Sequence, residues 1–328
     1  MTIDEVILGR QVALNNNWPE ITNIETEAMN YVRDRLADRG LKQILATVKI
    51  DKTTAFAALV SDKQLAKIFS SFLDVYDSLP YHPDLAFDAA WRSLEYTIRV
   101  YADRAWGYKE DKPLHDIFQK ISSEVVESLI NKEADLKDTF EYLVSNTSIS
   151  AARYTTVRLF YAKQLSVAPQ IKFVRERIEK VLSKDMLEVI KKFYMDEEGH
   201  MDTKNVIDVA RRLIRLLNGQ DIQIGKTSYK PIPLCDRIEL LISGILYTSR
   251  CERFHGDIYS PLKSSKTTLL TYYDYYFLTL TSMFFFWVTF YKLIERNGND
   301  QCIKFSNLKE SVITTIDRMN DILSNKQK

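Results

Sequence analysis

The chain has 328 residues, of which 45% are hydrophobic and 27% charged, and its formal net charge is +1. This composition is typical of a soluble globular protein with one large domain or two, and the near-neutral charge gives no global electrostatic signature of a nucleic-acid coat protein. With only nine glycines and eight prolines, the chain lacks the turn density of a β-sandwich or barrel.

The cysteines and the first residues bear on the cellular compartment. Cys235, Cys251 and Cys302 are widely spaced and form no Cys-x-x-Cys pair, so we expect free thiols in a reducing compartment. The first ten residues, MTIDEVILGR, carry acidic side chains where a signal peptide has a basic start and an apolar run. No glycine-rich phosphate loop or zinc box is present. We therefore expect a cytoplasmic protein without a metal or a cofactor.

Helical periodicity runs through the chain, so the predicted fold class is all-α. Residues 1–78 form a predicted N-terminal helical segment with a soft boundary at Pro80. Apolar residues then recur at intervals of three or four in five stretches: 85–106, 122–143, 171–193, 203–217 and 234–250. Of these, 122–143 is expected to form one or two helices. Predicted breaks lie at 80–83, 107–113 and 218–233, and the last of these has room for a short hairpin.

A long aromatic stretch begins at about Thr267 and is uncharged from Tyr275 to Tyr291. It is slightly shorter than the roughly 20 apolar residues that a membrane span needs. Its interior holds several threonines and a serine, and charged residues close both ends. These features favour a buried core helix over a membrane helix.

The pair Arg250 and His255, in SRCERFHGDIYSP (249–261), carries the main chemical hypothesis. An arginine fork matches a phosphate, and a histidine gives or takes a proton near neutral pH. Together they suit metal-independent cleavage of a phosphodiester, and only RNA offers an internal 2′-hydroxyl nucleophile.

The spacing of this pair restricts how the two side chains meet. Five residues along a continuous helix rotate by about 140°, so Arg250 and His255 do not share a helical face. They converge if the helix loosens near Gly256. Alternatively, two copies of the pair meet across a two-fold axis.

The string Tyr-x-x-Arg-Cys-x-x-x-His-Gly between two apolar helices resembles the signature of the HEPN superfamily, in particular its Apea-like branch. The superfamily hallmark, Arg-x4–6-His, maps onto Arg250 and His255. A second stretch, PDLAFDAAWRSLEYTIRVYA (83–102), resembles the early helix of such domains, with Trp91 and Glu95 at its aromatic and acidic positions. The resemblance covers about 80–110 and 232–296.

The resemblance implies a HEPN-like helical domain over 79–328, with a helical insertion around 110–230. It implies a homodimeric endoribonuclease of a prokaryotic defence or toxin system, with RNA as substrate and an antitoxin or another defence protein as partner. Arg250 and His255 are then the catalytic residues, with Glu95, Cys251 and Glu252 in support. Cys251 departs from the Asn, Asp or His usual in active members. The alternative is therefore a non-catalytic HEPN-like RNA-binding or scaffold module.

Several other features allow two interpretations each. Glu95 orients Arg250 or is a surface partner of Arg99. Arg253, Lys263 and Lys266 follow an RNA backbone or belong to a solvated loop. The tyrosines of 271–277 stack bases or pack in the core or at a dimer interface. The acidic cluster 196–202 fits no metal-ligand spacing and is expected to end one helix and cap the next at Asp202 or Thr203.

Overall fold

The computed structural model describes residues 30–32, 34, 61–109, 112–160, 170–254, 262, 267–296 and 303–324. These residues are mostly helical, which confirms the all-α class. The sheet they contain is a two-stranded antiparallel hairpin. The chain forms two compact units, one from Met1–Tyr101 with Arg250–Lys328 and the other from Ala102–Ser249.

The described elements are numbered here along the chain. In chain order they are α1 (Lys63–Ser78), α2 (Pro83–Trp106), α3 (Leu114–Lys120), the π-helical turn π1 (Ile121–Glu127), α4 (Ser128–Lys132), α5 (Ala134–Ser145), α6 (Ile149–Phe160), α7 (Gln170–Val181), α8 (Lys184–Tyr194), α9 (Thr203–Leu217), β1 (Ile222–Ile224), β2 (Thr227–Tyr229), α10 (Leu234–Glu239), the π-helical turn π2 (Leu240–Leu246), α11 (Tyr247–Phe254), α12 (Leu269–Glu295) and α13 (Ser306–Ser324).

The long helix α12 supplies much of the core of the first unit. Thr268 caps its N-terminus by accepting a hydrogen bond from the backbone N–H of Thr271 at 3.4 Å. In the aromatic stretch, the ring of Phe286 stacks on Phe72 of α1, with centroids 3.9 Å apart and planes 7° from parallel. Trp287 meets Phe72 edge-on at 5.2 Å. Burial of aromatic side chains is the largest stabilising contribution available to a helix of this composition.

Two hydroxyls of α12 reach the backbone at and just before the start of α2. The hydroxyl of Tyr276 donates to the carbonyl of Pro80 at 2.5 Å. The hydroxyl of Thr279 lies 3.0 Å from the carbonyl of Pro83 and 2.7 Å from that of Tyr275. These contacts join the beginning of α2 to the middle of α12 and satisfy hydroxyls that would be costly to bury unpaired.

Helix α12 also answers the question of a membrane span. Among the described residues, it is the helix whose length and composition would allow it to cross a membrane, and 94% of its most apolar window is buried inside the protein. The burial favours the core-helix interpretation made from the threonines and the closing charges.

In the second unit, α9 begins and ends where its sequence predicts. The side chain of Asp202 caps it by accepting from the backbone N–H of Asn205 at 2.6 Å, and the helix ends at Leu217 before Asn218-Gly219. Gly219 has a φ of +63°, which is the left-handed conformation that glycine adopts at helix ends. The stretch 218–233, which has room for a short hairpin, contains one in the structure, with Ile222 opposite Tyr229.

One predicted helix is divided in the structure, and a stretch predicted to form one or two helices forms several elements. The stretch 171–193 contains a break at Leu182–Ser183, where the Ser183 hydroxyl accepts from the backbone N–H of Met186 at 3.3 Å and starts α8. The stretch 122–143 includes the turn π1 and ends one helix before α5 starts at Ala134. A serine followed by helix-forming residues is a cap signal, but the apolar stripe continues on both sides of it.

Candidate functional site

The candidate site in the first unit is built on one face of α2. Trp91, Glu95 and Arg99 follow one another at intervals of four residues, so they lie above one another on the helix surface. Trp91 is fully buried, and its indole N–H donates to Oε2 of Glu95 at 3.0 Å. The buried indole therefore fixes the position of the Glu95 carboxylate.

Arg250 of α11 reaches the same carboxylate. Its Nη2 lies 3.4 Å from Oε2 of Glu95, while Nε of Arg99 lies 3.6 Å from Oε1 on the other side. The side chains of Arg250, Glu95 and Arg99 are 21%, 20% and 30% exposed, so the cluster is partly shielded from water.

This arrangement brings together the two stretches of sequence that carry the resemblance. Of the two interpretations of Glu95, the structure contains both contacts, because the carboxylate bridges Arg99 and Arg250. The part that sequence reasoning missed is the double pairing and the use of the Trp91 indole as its anchor. The available signal was the spacing of four residues on each side of Glu95.

Cys251 follows Arg250 on α11 as a half-buried free thiol. The backbone of α11 is helical as far as Phe254. His255, Lys263 and Lys266 lie outside the described residues, as do the side chains of Glu252 and Arg253. Their expected roles stay predictions.

The tyrosine-rich start of α12 belongs to the core. Tyr272, Tyr275 and Tyr276 are buried, and burial together with the charge of Asp84 raises the pKa of Tyr272 above its ordinary value. Tyr273 is half-buried, and burial together with neighbouring Asp274 raises its pKa to about 12. These phenols stay neutral at physiological pH, and the buried ones are not available to stack bases.

The acidic cluster 196–202 behaves as a helix connection. Nδ1 of His200 lies 3.4 Å from Glu198 and 3.6 Å from Asp196, while Asp202 caps α9 as predicted. Among the described residues there is no group of three His, Cys, Asp or Glu side chains placed to hold a metal ion.

Two interactions of charged residues in the second unit were not predicted from the sequence. Arg237 of α10 forms a two-pronged pair with Glu141 of α5, with distances of 3.0 and 2.7 Å, and its Nε donates to the carbonyl of Leu217 at 2.5 Å. Glu239 lies two residues after Arg237. Burial and the charge of Asp236 raise its pKa to about 7. Helical spacing could not indicate either feature, because both arise from partners distant in sequence or from burial.

Comparison of the chain with protein-family models, with curated proteins and with solved structures gives no match.

Proposed function

We propose that the chain is a metal-independent endoribonuclease of the HEPN type, which acts as a cytoplasmic homodimer in a prokaryotic defence or toxin system. The observation that carries the proposal is the ion pair between Glu95 and Arg250. It joins the two separated stretches that resemble this superfamily, and it holds a guanidinium in a cluster that is partly shielded from water.

The proposed chemistry assigns separate tasks to two residues. Arg250 binds the scissile phosphate and stabilises the negative charge that develops on it. The 2′-oxygen attacks phosphorus, the bond from phosphorus to the 5′-oxygen breaks, and the products are a 2′,3′-cyclic phosphate and a free 5′-hydroxyl. His255 transfers a proton as general base at the 2′-hydroxyl or general acid at the 5′-oxygen.

Glu95 is a positioning residue in this proposal. A carboxylate held by the Trp91 indole restricts the rotamers of Arg250, so less entropy is lost when the guanidinium meets a phosphate. The contact of 3.4 Å is longer than a short charge-assisted hydrogen bond. The pair therefore orients the arginine without engaging it as tightly as a bidentate partner would.

The experiment is cleavage of single-stranded RNA in EDTA by the purified chain, with Arg250→Ala and His255→Ala as separate variants. We expect the unsubstituted protein to produce fragments with 2′,3′-cyclic phosphate ends, and each variant to lose this activity. Cleavage that is unchanged in both variants contradicts the proposal. Analytical ultracentrifugation measures the expected dimer, and co-purification from a native host tests for an antitoxin or defence partner.

The second candidate is a non-catalytic HEPN-like RNA-binding or scaffold module. Cys251 favours it, because a thiol is a weak hydrogen-bond donor and acceptor in a position that resembles a site of Asn, Asp or His. In that case RNA binds and dimers form, but the unsubstituted protein cuts no RNA under any condition, and Arg250→Ala affects binding alone.

A further inference from the structure

An arginine-rich cleft of about 460 Å³ lies on the second unit. Helix α9 and the β1–β2 hairpin both contribute to its lining, which consists of Arg211, Arg212, Arg215, Ile222, Gln223 and Gly225. Three of these six residues carry a permanent positive charge. The cleft is separate in sequence from the residues of the proposed catalytic site.

Arg212 is the structural member of the three arginines. Its Nε donates to the carbonyl of Gln223 at 3.1 Å, and its Nη1 donates to the carbonyl of Asp208 at 2.8 Å. Its guanidinium carbon also lies 4.9 Å from the centroid of the Tyr194 ring. These contacts tie the hairpin to α9 and fix the shape of the cleft.

Arg211 and Arg215 present exposed guanidinium groups. They are four residues apart on α9, which puts them on one face and about 6 Å apart along the axis. Arg211 is 68% exposed and pairs at 3.2 Å with Asp208, a type of surface contact worth less than about 1 kcal/mol. Arg215 is exposed, and within the described part of the chain its guanidinium has no ion-pair or hydrogen-bond partner.

An aromatic ring packs on the hairpin turn that contributes to the cleft. Phe193 is 52% exposed, and a Cβ atom built on Gly225 would lie 2.0 Å from its ring, so the ring packs directly on the hairpin turn. Gly225 has a φ of +58°, as the first residue of a two-residue hairpin turn requires. The neighbouring Lys226 is exposed and adds a further positive charge.

We propose that this cleft binds the phosphate backbone of single-stranded RNA, with Arg211 and Arg215 on successive phosphates and Phe193 available to a base. Guanidinium forks match phosphate oxygens, and exposed rings beside cations are the combination that sequence-tolerant single-strand binding uses. The choice of RNA among polyanions rests on the proposed function, whereas the phosphate chemistry rests on the cleft alone.

The test measures the affinity of a fluorescently labelled single-stranded RNA of about a dozen nucleotides by anisotropy. All proteins carry His255→Ala so that the RNA is not cut. The test variant is Arg211→Gln with Arg215→Gln, which leaves the Arg212 framework intact. The matched control is Lys132→Gln with Lys137→Gln, which removes the same charge from exposed positions on α4 and α5 of the same unit.

We expect the arginine variant to bind RNA about tenfold more weakly at about 0.1 M salt, and the slope of log K against log salt to fall by about 1.4, the value for two single-strand phosphate contacts. The lysine control is expected to retain the affinity and slope of the parent. Equal affinity of the arginine variant and the parent overturns the proposal, as does an equal loss in the lysine control.

Two further arms separate this proposal from the proposed function. The same sequence is tested as DNA, and dependence on the two arginines with DNA but not with RNA overturns the assignment to RNA. Cleavage is measured with His255 restored. If RNA binding depends on Arg211 and Arg215 but the protein never cuts RNA, the proposed nuclease function is contradicted and the proposed RNA-binding cleft is supported. If cutting depends on Arg250 and His255 but the variant of Arg211 and Arg215 keeps its affinity, the nuclease function is supported and the binding cleft is contradicted.

Discussion

The carboxylate of Glu95 connects the indole N–H of Trp91, 3.0 Å away, with the guanidinium of Arg250, 3.4 Å away. The first of these partners is on the same helix, and the second is 155 residues further along the chain. A buried ring thus holds the carboxylate that a partly exposed arginine contacts. This relationship makes the role of Glu95 testable apart from that of Arg250.

Glu95→Gln keeps the shape of the side chain but removes its charge. Because an amide holds a guanidinium less firmly than a carboxylate does, we expect kcat for RNA cleavage to fall by about tenfold to a hundredfold with little change in KM. The melting temperature is expected to change only slightly, since partly exposed ion pairs contribute about 1 kcal/mol or less.

The matched control is Arg99→Gln. It removes the other partner of the carboxylate and leaves Trp91, Glu95 and Arg250 in contact, so cleavage is expected to stay close to that of the parent. If Arg99→Gln lowers kcat as far as Glu95→Gln, the carboxylate acts through general electrostatics and not through the orientation of Arg250.

Cys251 provides a test of the position after the motif arginine. A thiol cannot supply the strong hydrogen bonds of an amide, so we expect Cys251→Asn to increase kcat several-fold and Cys251→Ala to leave it within about twofold. Steady-state cleavage of a defined RNA measures both. A large loss in Cys251→Ala would show that the thiol itself is required.

The sequence alone predicts the limits of a helix when its local signals agree. Helix α9 has a continuous apolar stripe, an aspartate cap and a terminal Asn-Gly, and the predicted limits of 203–217 match the observed Thr203–Leu217. The break before α8 was not predicted, because the apolar stripe continues across Ser183 and periodicity outweighed a single cap residue. Local signals decide helix limits when they coincide, and they fail when they compete.

The candidate site shows where such reasoning ends. Residue chemistry singled out Arg250, and the resemblance named Glu95 as a residue that orients it. The distance between them depends on tertiary packing, for which helical spacing gives no information. The turn π2 is a second example, since its residues are buried on all sides, so no amphipathic stripe marks its register. There the hydroxyl of Thr155 from α6 donates to the carbonyl of Gly244 at 3.0 Å.

The pair of Arg237 and Glu141 is expected to stabilise the second unit. Arg237→Met removes both prongs of the pair and the hydrogen bond to the carbonyl of Leu217, and it leaves these acceptors without their donor. We expect the free energy of unfolding in urea to fall by about 2–4 kcal/mol. Glu141→Gln, which keeps one acceptor, is expected to cost about 1 kcal/mol.

The control for this pair is Arg92→Met. Arg92 makes a surface contact of 3.8 Å with Asp74, and both side chains are more than half exposed, so we expect a loss below about 0.5 kcal/mol. Losses of equal size in Arg237→Met and Arg92→Met would mean that the two-pronged pair contributes no more than an exposed one.

The raised pKa of Glu239 predicts that the stability of the chain depends on pH. Burial, with a smaller contribution from Asp236 and an opposing one from Lys180, raises its pKa from 4.5 to about 7. The folded chain therefore holds this proton more tightly than the unfolded chain does, and the free energy of unfolding falls as the pH rises from 4.5 to about 7. We expect the fall to be on the order of 2 kcal/mol. Glu239→Gln is expected to remove this fall and to be more stable than the parent at pH values above that range.

Asp236→Asn removes one cause of the pKa shift, so the fall in its free energy of unfolding should end at a lower pH. Urea unfolding at a series of pH values measures all three proteins, and a parallel pH profile for Glu239→Gln and the parent would show that another group is responsible.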